Sequence, residues 1–440
     1  MKSFVVFLLL LVSIFSDAQN SFEMKEAKKI VIPFQLINNL IFIPIEVNGV
    51  ELTFFLDTGV NETTIFSLEN KEMKLSKLEK MTFTGLGASG SIEGFKSEGN
   101  TAKIGENFIN NSFSFFIIAD PDFNISSHIG IPVNGIIGYQ FFKNHQIIID
   151  YTSKKITVFS DDQIFKSKIK KFEEFTITVE KFKPYIEAKI EMTNEPKPSK
   201  LLLDLGNADA IWLFPTLIKN FVYNRPNIDD YLGRGFNGDI FGKRSRIHNF
   251  YLGKFKFEKP LTAMPDEYSI QNLSLVKDRK GSIGSEIFRR FTVAFDYKNE
   301  KLYLRKNRDF EDPFHFNMSG LDFKQDGLQW EQDLMRLEEK KGIDLQSTEV
   351  INNTLQYKFV LKPIFSIAGV RKDSPAQKAG FQKDDLLIKI NGKNTSDMTM
   401  QKMVDLMKSE EGKSFDIEIE RKDKKITLSF TLEDPIPYQE

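Results

Sequence analysis

The stretch that decides the fold is Phe54-Phe55-Leu56-Asp57-Thr58-Gly59, in which an apolar run leads directly into an acidic side chain. Aspartate is among the residues least often buried without a partner, so an acid at the end of a hydrophobic strand needs a reason. A second stretch, Leu201-Leu202-Leu203-Asp204-Leu205-Gly206, repeats the apolar approach, the acid and the glycine. Two such segments could meet face to face, and their carboxylates would then share a proton.

An internal repeat connects these two stretches. Residues 135–151 have a counterpart at 281–297, and Asp57 and Asp204 are 147 positions apart. Two glycine-rich loops, which begin at Gly85 and Gly233, are 148 positions apart. Three landmarks at nearly one offset indicate a duplicated unit. We predict two copies of one lobe, at residues 29–160 and 172–306.

The runs between these landmarks predict a mainly β fold. Short apolar, β-branched segments alternate with Gly and Asn, and Asn48-Gly49 is a strong signal for a tight hairpin turn. The 42 phenylalanines are suited to β-rich cores.

A pair of facing aspartates has a definite chemistry. Two carboxylates within a few Å cannot both ionise cheaply, so one keeps its proton. The ionised acid can take a proton from water while the protonated acid donates to a carbonyl oxygen. The alternative is that each Asp only follows a strand in a turn, where Asp is common. The matched positions of Asp57 and Asp204 favour the pair.

These motifs resemble the retropepsin-like aspartic peptidases. The first copy carries Asp57-Thr58-Gly59 and, further on, Ile136-Ile137-Gly138, and the second carries Asp204-Leu205-Gly206 and Ile283-Gly284. The resemblance implies two pseudo-symmetric retropepsin-like β-barrel lobes in a bilobal acid-protease fold, with a cleft for an extended peptide or protein substrate. It implies an endopeptidase with Asp57 and Asp204 as catalytic residues. The same resemblance assigns supporting roles in the catalytic loops to Thr58, Gly59, Leu205 and Gly206, and behind the loops to Ile137, Gly138, Ile283 and Gly284.

The second motif departs from the family pattern. The threonine after each catalytic Asp in the family bonds across to the opposite lobe, and Leu205 has no hydroxyl to do so. A lost hydrogen bond of this kind costs about 1 kcal/mol net. The alternative function is therefore a catalytically weak or inactive protein that binds peptides in the same cleft.

The two glycine-rich loops match G-x-G-x-x-G literally. A dinucleotide site would need a preceding strand, a following helix and a βαβ unit, which neither loop has. Their places in the repeat predict hairpin flaps over the substrate, with plain surface hairpins as the alternative. The glycines concerned are Gly85, Gly87, Gly90, Gly233, Gly235 and Gly238.

A separate α+β domain is predicted at 314–434, with its core at 363–432 and a helical and loop insertion at 330–358. Residues 373–381, Asp-Ser-Pro-Ala-Gln-Lys-Ala-Gly-Phe, and the later Ile390-Asn391-Gly392 resemble the PDZ domains of bacterial proteases. The resemblance implies a peptide groove lined by Phe365, Ile367, Met403, Val404 and Met407. Residues 358–364, where the carboxylate-binding loop is expected, contain no Gly, so C-terminal capture and packing against the lobes both stay open.

The N-terminus predicts export. Lys2 precedes an apolar run of twelve residues, 4–15, and small residues follow, which is typical of a cleaved signal at 1–18. This run is shorter than the roughly 20 residues of a membrane span. The resemblance to secreted bacterial peptidases with two lobes and a PDZ-like domain implies a place in the periplasm or outside the cell, with association with the cell surface left open. We expect a monomer.

Composition excludes several function classes. The net charge of −1 does not favour nucleic acid, and the absence of cysteine excludes disulfides and a cysteine nucleophile. The four histidines are scattered and form no metal-binding motif. We expect no metal and no organic cofactor.

Overall fold

A computed structural model describes residues 21–69, 71–83, 92–118, 125–192, 195–219, 221, 223–235, 238–271, 275–336 and 355–438. The predicted signal at 1–18 lies outside these residues. The mainly β prediction is confirmed, and the chain divides into two units, Met1–Phe316 with Asp434–Glu440, and Asn317–Glu433. No helix among the described residues has the length and apolar character of a membrane span.

The first lobe is built on a nine-stranded sheet with the order β1-β9-β6-β10-β5-β4-β8-β7, in which β3 also pairs with β4. Its strands and helices, with three strands of a further sheet (β2, β11 and β12), are β1 (Glu23–Met24), β2 (Lys29–Pro33), β3 (Gln35–Ile37), β4 (Leu40–Val47), β5 (Val50–Leu56), β6 (Thr64–Ile65), β7 (Leu78–Phe83), β8 (Ile92–Ile104), β9 (Phe108–Ile117), α1 (Ser126–Ile129), β10 (Gly135–Ile137), α2 (Tyr139–Phe142), β11 (Gln146–Asp150) and β12 (Lys155–Phe159). Asn48 and Gly49 both have positive φ, as the predicted hairpin turn requires.

The second lobe repeats this plan in a ten-stranded sheet with the order β18-β19-β22-β17-β23-β16-β15-β20-β21, in which β14 also pairs with β15. Its elements are α3 (Asp162–Ile169), β13 (Glu173–Thr176), β14 (Thr178–Glu180), β15 (Lys183–Glu191), β16 (Pro196–Asp204), β17 (Ile211–Leu213), a 3-10 turn (Pro215–Leu217), β18 (Ile228–Gly235), β19 (Gly238–Arg246), β20 (Asn249–Leu252), β21 (Phe255–Glu258), β22 (Leu261–Pro265), α4 (Glu267–Ile270), β23 (Arg279–Gly284), α5 (Ser285–Phe288), β24 (Phe291–Asp296) and β25 (Lys301–Lys306).

Both lobes contribute to a six-stranded sheet with the order β13-β25-β24-β11-β12-β2. Strands β11 and β24 pair antiparallel at its centre, for example Ile148 with Ala294. These two strands belong to the repeated segments 135–151 and 281–297, so the two copies of the repeat pair with each other in this sheet.

The strands that lead to the two aspartates are buried on both faces. Phe54 and Leu56 on one face and Phe55 on the other are buried, and so are Leu201, Leu203 and Leu202 in the second lobe. Each strand pairs in parallel with a strand from the later half of its lobe, β5 with β10 and β16 with β23. Parallel central strands read as continuous apolar runs because neither face meets water. One apolar cluster spans both lobes and fixes the two strand ends relative to each other.

The second unit is a sheet with the order β26-β27-β28-β30-β31, in which β29 pairs with β28. Its elements are β26 (Leu321–Arg336), β27 (Leu355–Val370), α6 (Pro375–Ala379), β28 (Leu386–Ile390), β29 (Lys393–Asn394), a 3-10 turn (Thr395–Asp397), α7 (Met400–Met407), β30 (Ser414–Arg421) and β31 (Lys424–Thr431). Helix α6 has the expected caps, because the Ser374 hydroxyl accepts from the Gln377 amide and Gly380 is left-handed.

The structure corrects the expected helix and loop at 330–358. Residues 330–336 and 355–358 continue β26 and β27 as an antiparallel ladder, and residues 337–354 are not described. Charged residues at 330–342 are typical of a solvated helix, but at residues 330–336 the opposite strand pairs with the backbone.

The chain end belongs to the first unit. Ile436 is buried, and its carbonyl accepts from Arg246 Nε at 3.3 Å. The Tyr438 hydroxyl lies 2.5 Å from His248 Nδ1. The second unit is thus bounded on both sides by segments of the first, whereas the sequence placed residues 314–434 together.

Candidate active site

The two predicted catalytic loops occupy equivalent places in their lobes. Asp57 directly follows β5, and its amide donates to the Ile137 carbonyl at 2.9 Å. Asp204 ends β16 and lies opposite Gly284 on the parallel strand β23. The segments behind the loops therefore hold them in place, as the sequence led us to expect for Ile137, Gly138, Ile283 and Gly284.

Glycine is required where these supporting segments cross the loops. A Cβ on Gly138 would lie 2.3 Å from the Val60 carbonyl oxygen, and one on Gly284 would lie 2.1 Å from the Asp209 carbonyl oxygen. Any side chain at either position would push the loop away from the strand.

The structure brings the two carboxylates together. A Cβ on Gly206 would lie 2.2 Å from Asp57 Cγ, and one on Gly59 would lie 2.9 Å from Asp204 Oδ1. Each loop glycine thus packs against the acid of the other lobe, and the two carboxyl groups are close enough to interact electrostatically. The amides of Gly59 and Gly206 donate to their own lobe's aspartate, at 2.6 Å and 3.2 Å.

Thr58 bonds across to the opposite lobe. Its buried hydroxyl donates to the Leu203 carbonyl at 2.6 Å and accepts from the Leu205 amide at 2.9 Å. Leu205 is fully buried in the shared apolar cluster. The first lobe therefore reaches the second through the hydrogen bonds of Thr58. At the equivalent position of the second lobe, Leu205 makes only apolar contacts with its side chain.

The charges around the pair are unequal. Burial and the nearby charge of Asp204 raise the pKa of Asp57 to about 7. Burial also raises the pKa of Asp204, but Arg279 and Lys183 oppose that rise. Cations favour the ionised form of a neighbouring acid. Lys183 acts on both acids in this way, yet burial leaves both pKa values raised, and Arg279 favours the ionised form of Asp204.

The second glycine-rich loop is a hairpin. Strands β18 and β19 pair antiparallel up to Gly235 and Gly238, and Gly233 adjoins a bulge with φ of +140°. No helix follows, so the loop lacks the βαβ setting of a nucleotide site. The matching glycines Gly85, Gly87 and Gly90 lie outside the described residues, although β7 and β8 on either side of them pair antiparallel.

The sequence reading missed an ion-pair network at the base of this hairpin. Arg244 of β19 donates to Asp209 at 2.6 Å and to Asp230 at 2.7 Å, and the Trp212 ring nitrogen donates to Asp209 at 2.7 Å. The network joins both hairpin strands to the loop that follows Asp204.

The repeat contained a signal for this network. Glu62 lies five residues after Asp57, as Asp209 lies five after Asp204, and Lys96 precedes Arg244 by 148 positions. Glu62 and Lys96 interact electrostatically in the first lobe. An acid and a base at one common offset thus mark the hairpin base in both copies.

The residues expected to line the groove in the second unit are core residues instead. Phe365 and Ile367 are buried in β27, which pairs with β26 on one side and β28 on the other. Met403 and Met407 of α7 are buried with them, and Val404 is partly buried. The edge strand next to α7 is β26, so Phe365 and Ile367 are on the wrong strand for the predicted groove.

The expected carboxylate-binding loop was also misplaced. Residues 358–364 lie within β27. The turn that precedes the edge strand β26 contains Gly320, with φ of +79°, and a Cβ there would lie 2.3 Å from Ser374 Cβ. Within the described part of the chain, no three His, Asp or Glu side chains are placed to hold a metal ion.

Comparisons with known proteins agree with the resemblance. The aspartyl protease family matches residues 43–141, and the PDZ domain family matches residues 366–421. Among solved structures, an aspartic proteinase from Irpex lacteus aligns with 64% of this chain and 99% of its own, at 12% identity and a TM-score of 0.42. The search of curated proteins gives no match. Residues 43–141 are thus similar in sequence to the aspartyl proteases and residues 366–421 to PDZ domains.

Proposed function

We propose that the protein is an aspartic endopeptidase that hydrolyses extended peptide or protein substrates with Asp57 and Asp204. The observation that carries this proposal is that each loop glycine packs against the acid of the other lobe, which brings the two carboxyl groups close together across matched loops. Two acids are seldom placed together in an interior, because one must keep its proton there. A protein that only held peptides would have no need of this arrangement.

The unequal charges suggest the role of each acid. The Asp204 carboxylate takes a proton from a water molecule held between the two acids, and that water attacks the peptide carbonyl carbon. Asp57 donates its proton to the carbonyl oxygen, which gives a neutral tetrahedral intermediate. Asp204 then gives the proton it took from water to the leaving nitrogen, while Asp57 takes a proton from a hydroxyl of the intermediate. The C–N bond breaks, a carboxylic acid and an amine leave, and the dyad returns to its starting form. No covalent bond to the enzyme is formed.

The glycine-rich hairpins are proposed to cover the substrate. The ion pairs of Arg244 with Asp209 and Asp230 stabilise the base of the β18–β19 hairpin. For the second unit we propose peptide binding by strand addition at the free edge of β26. Export to the periplasm or exterior and a monomeric state complete the proposal.

Leu205 favours a second candidate, a peptide-binding protein with little or no activity. The two candidates differ in turnover. The protein without residues 1–18 is incubated with a mixed peptide library from pH 3 to pH 8, and new termini are identified by mass spectrometry. Internal cleavage that is blocked by a peptide with a non-hydrolysable tetrahedral hydroxyl group supports the peptidase. Binding of that peptide without any cleavage would favour the second candidate.

A further inference from the structure

The floor of the site differs between the two lobes. In the first lobe, Phe55 lies two residues before Asp57 and therefore on the same side of its strand. Phe42 and Ile136 are its partners on the neighbouring strands. These three side chains pack in one apolar cluster with Val133 and the partly buried Leu40.

The equivalent positions of the second lobe include polar and charged residues. Leu202 lies two residues before Asp204, and its strand partners are Tyr185 and Ser282. Lys183 precedes Tyr185 as Leu40 precedes Phe42, by two residues. Arg279 precedes Ser282 as Val133 precedes Ile136, by three residues. Two cations thus replace two aliphatic side chains on one side of the dyad.

Arg279 is held in place by hydrogen bonds and a ring contact within its own lobe. It is buried, and it donates to the Gly281 carbonyl at 3.1 Å and to the Ser282 hydroxyl at 3.4 Å. Its guanidinium carbon lies 5.1 Å from the centre of the Phe214 ring. Arg279 therefore contributes fixed positive charge to this side of the site.

Lys183 is different. It is half-buried, close enough to interact with both carboxylates, yet its ammonium group has no hydrogen-bond or ion-pair partner in the described part of the chain. The dyad with one proton carries one negative charge against two cations. A partly desolvated cation without a partner is costly, and an incoming anion would remove that cost.

We propose that Lys183, backed by Arg279, forms a subsite for a carboxylate of the substrate, and that the matching pocket of the first lobe takes an apolar side chain. This inference rests on the proposed function, since it names the substrate class of the same cleft. The carboxylate comes either from a Glu or Asp side chain next to the scissile bond or from a free C-terminus close to it.

Matched peptides test this subsite. Each has an apolar residue on one side of the scissile bond and Glu, Gln or Lys on the other, in both orders. Two further peptides end at that position with a free or an amidated C-terminus, which separates the two sources of the carboxylate. We expect one order to show a roughly 10- to 100-fold preference for Glu over Gln in kcat/KM, the size of a charge-assisted hydrogen bond.

Variants assign the preference to Lys183. In Lys183→Met the ratio of Glu to Gln falls to about one, and in Lys183→Arg most of it remains. Lys181→Met, at the exposed turn two residues away, keeps the wild-type ratio. Equal rates for Glu and Gln at every position, or a preference unchanged in Lys183→Met, would overturn the subsite.

A binding measurement keeps the two proposals distinguishable. Non-hydrolysable tetrahedral analogues with Glu or Gln are titrated calorimetrically into wild type and Lys183→Met. Tighter binding of the Glu analogue by wild type alone supports the subsite even if no peptide is cleaved, in which case only the proposed peptidase fails. Equal affinities would reject the subsite while leaving the peptidase intact.

Discussion

The Leu205 amide donates to the Thr58 hydroxyl at 2.9 Å, and Leu205 offers no hydroxyl in return. Thr58 also donates to Leu203 at 2.6 Å, so one side chain joins both ends of the opposite catalytic loop. The geometry of the two acids therefore depends on the hydrogen bonds of Thr58 more than it would if both loops carried a threonine.

Thr58→Val is the first test of that dependence. Valine preserves the shape but removes both hydrogen bonds from a buried site, so we expect a loss of about 1–3 kcal/mol in unfolding free energy. The kcat/KM of peptide cleavage should fall by a larger factor than this loss of unfolding free energy corresponds to, because the two loops also lose their alignment. Thr58→Ser keeps the oxygen and serves as the control in denaturant titrations. Equal stability of the Val and Ser variants would contradict the role given to the hydroxyl.

Leu205→Thr asks whether the missing half can be restored. The repeat relates position 205 to Thr58, so a hydroxyl there would face the first loop. Leu205→Val, which has the same shape without the hydroxyl, measures the packing loss alone. We expect the Thr variant to be about 1 kcal/mol more stable than the Val variant in urea unfolding. A Thr variant less stable than the Val variant would show that the second loop lacks partners for a hydroxyl.

The pH dependence of activity follows from the two acids. The active form holds one proton on the pair, and burial beside Asp204 places the pKa of Asp57 at about 7. We expect kcat/KM to fall as the pH rises through about 7. On the acidic side, kcat/KM should fall when the second acid of the pair takes up a proton. That fall should begin above the ordinary aspartate pKa of 3.8, because burial also raises the pKa of Asp204. A profile that kept rising beyond pH 8 would contradict a protonated Asp57.

The stability of the fold has a matching pH dependence. The pKa of Asp57 is higher in the folded chain than in the unfolded chain, so the folded state binds more protons between about pH 4 and pH 7. This acid therefore contributes most stability below pH 4, and that contribution is lost as the pH rises to about 7. Asp57→Asn removes the titration, and we expect it to be more stable than wild type at pH 8 by roughly 1–3 kcal/mol. Thermal unfolding at pH 4 and pH 8 measures the difference, and a gap that did not shrink toward pH 4 would contradict it.

Asp385 tests the second unit separately. It is buried, and both of its oxygens accept from Arg421 at 2.6 Å. Breaking a buried pair leaves a charge uncompensated, so Asp385→Asn is expected to cost about 3–5 kcal/mol. The neighbouring Asp384 pairs with Lys324 in an exposed position, and Asp384→Asn should cost at most about 1 kcal/mol. Similar losses in the two variants, measured by chemical unfolding, would contradict the assignment.

The sequence predicted the dyad because the fold repeats. A single Asp-Thr-Gly would have been a weak signal, but the second acid at an offset of 147 made Asp57 and Asp204 a pair. The supporting roles expected for Gly138 and Gly284 came from the resemblance to the family. Local turn chemistry also held, since Asn48-Gly49 and Ser374 act at the backbone and need no tertiary context.

What the sequence did not predict depends on tertiary partners. Residues 330–336 are charged like a solvated helix, yet pairing with β27 makes them a strand. Phe365 and Met403 are apolar and suited to a groove, but sheet order places them in the core. The positions of Lys183 and Arg279 beside the acids could be inferred only from the strand register, which places them where the first lobe has Leu40 and Val133.

The central claim is that Asp57 and Asp204 act as one catalytic pair. Its most direct test is the hydrolysis rate of a cleaved library peptide by Asp57→Asn and Asp204→Asn, beside Asp162→Asn at an exposed helix position as control. We predict that each dyad substitution lowers kcat by roughly 10²- to 10⁴-fold, the contribution of general acid–base catalysis, while the control keeps the wild-type rate. Hydrolysis within tenfold of wild type in either dyad variant would contradict the account.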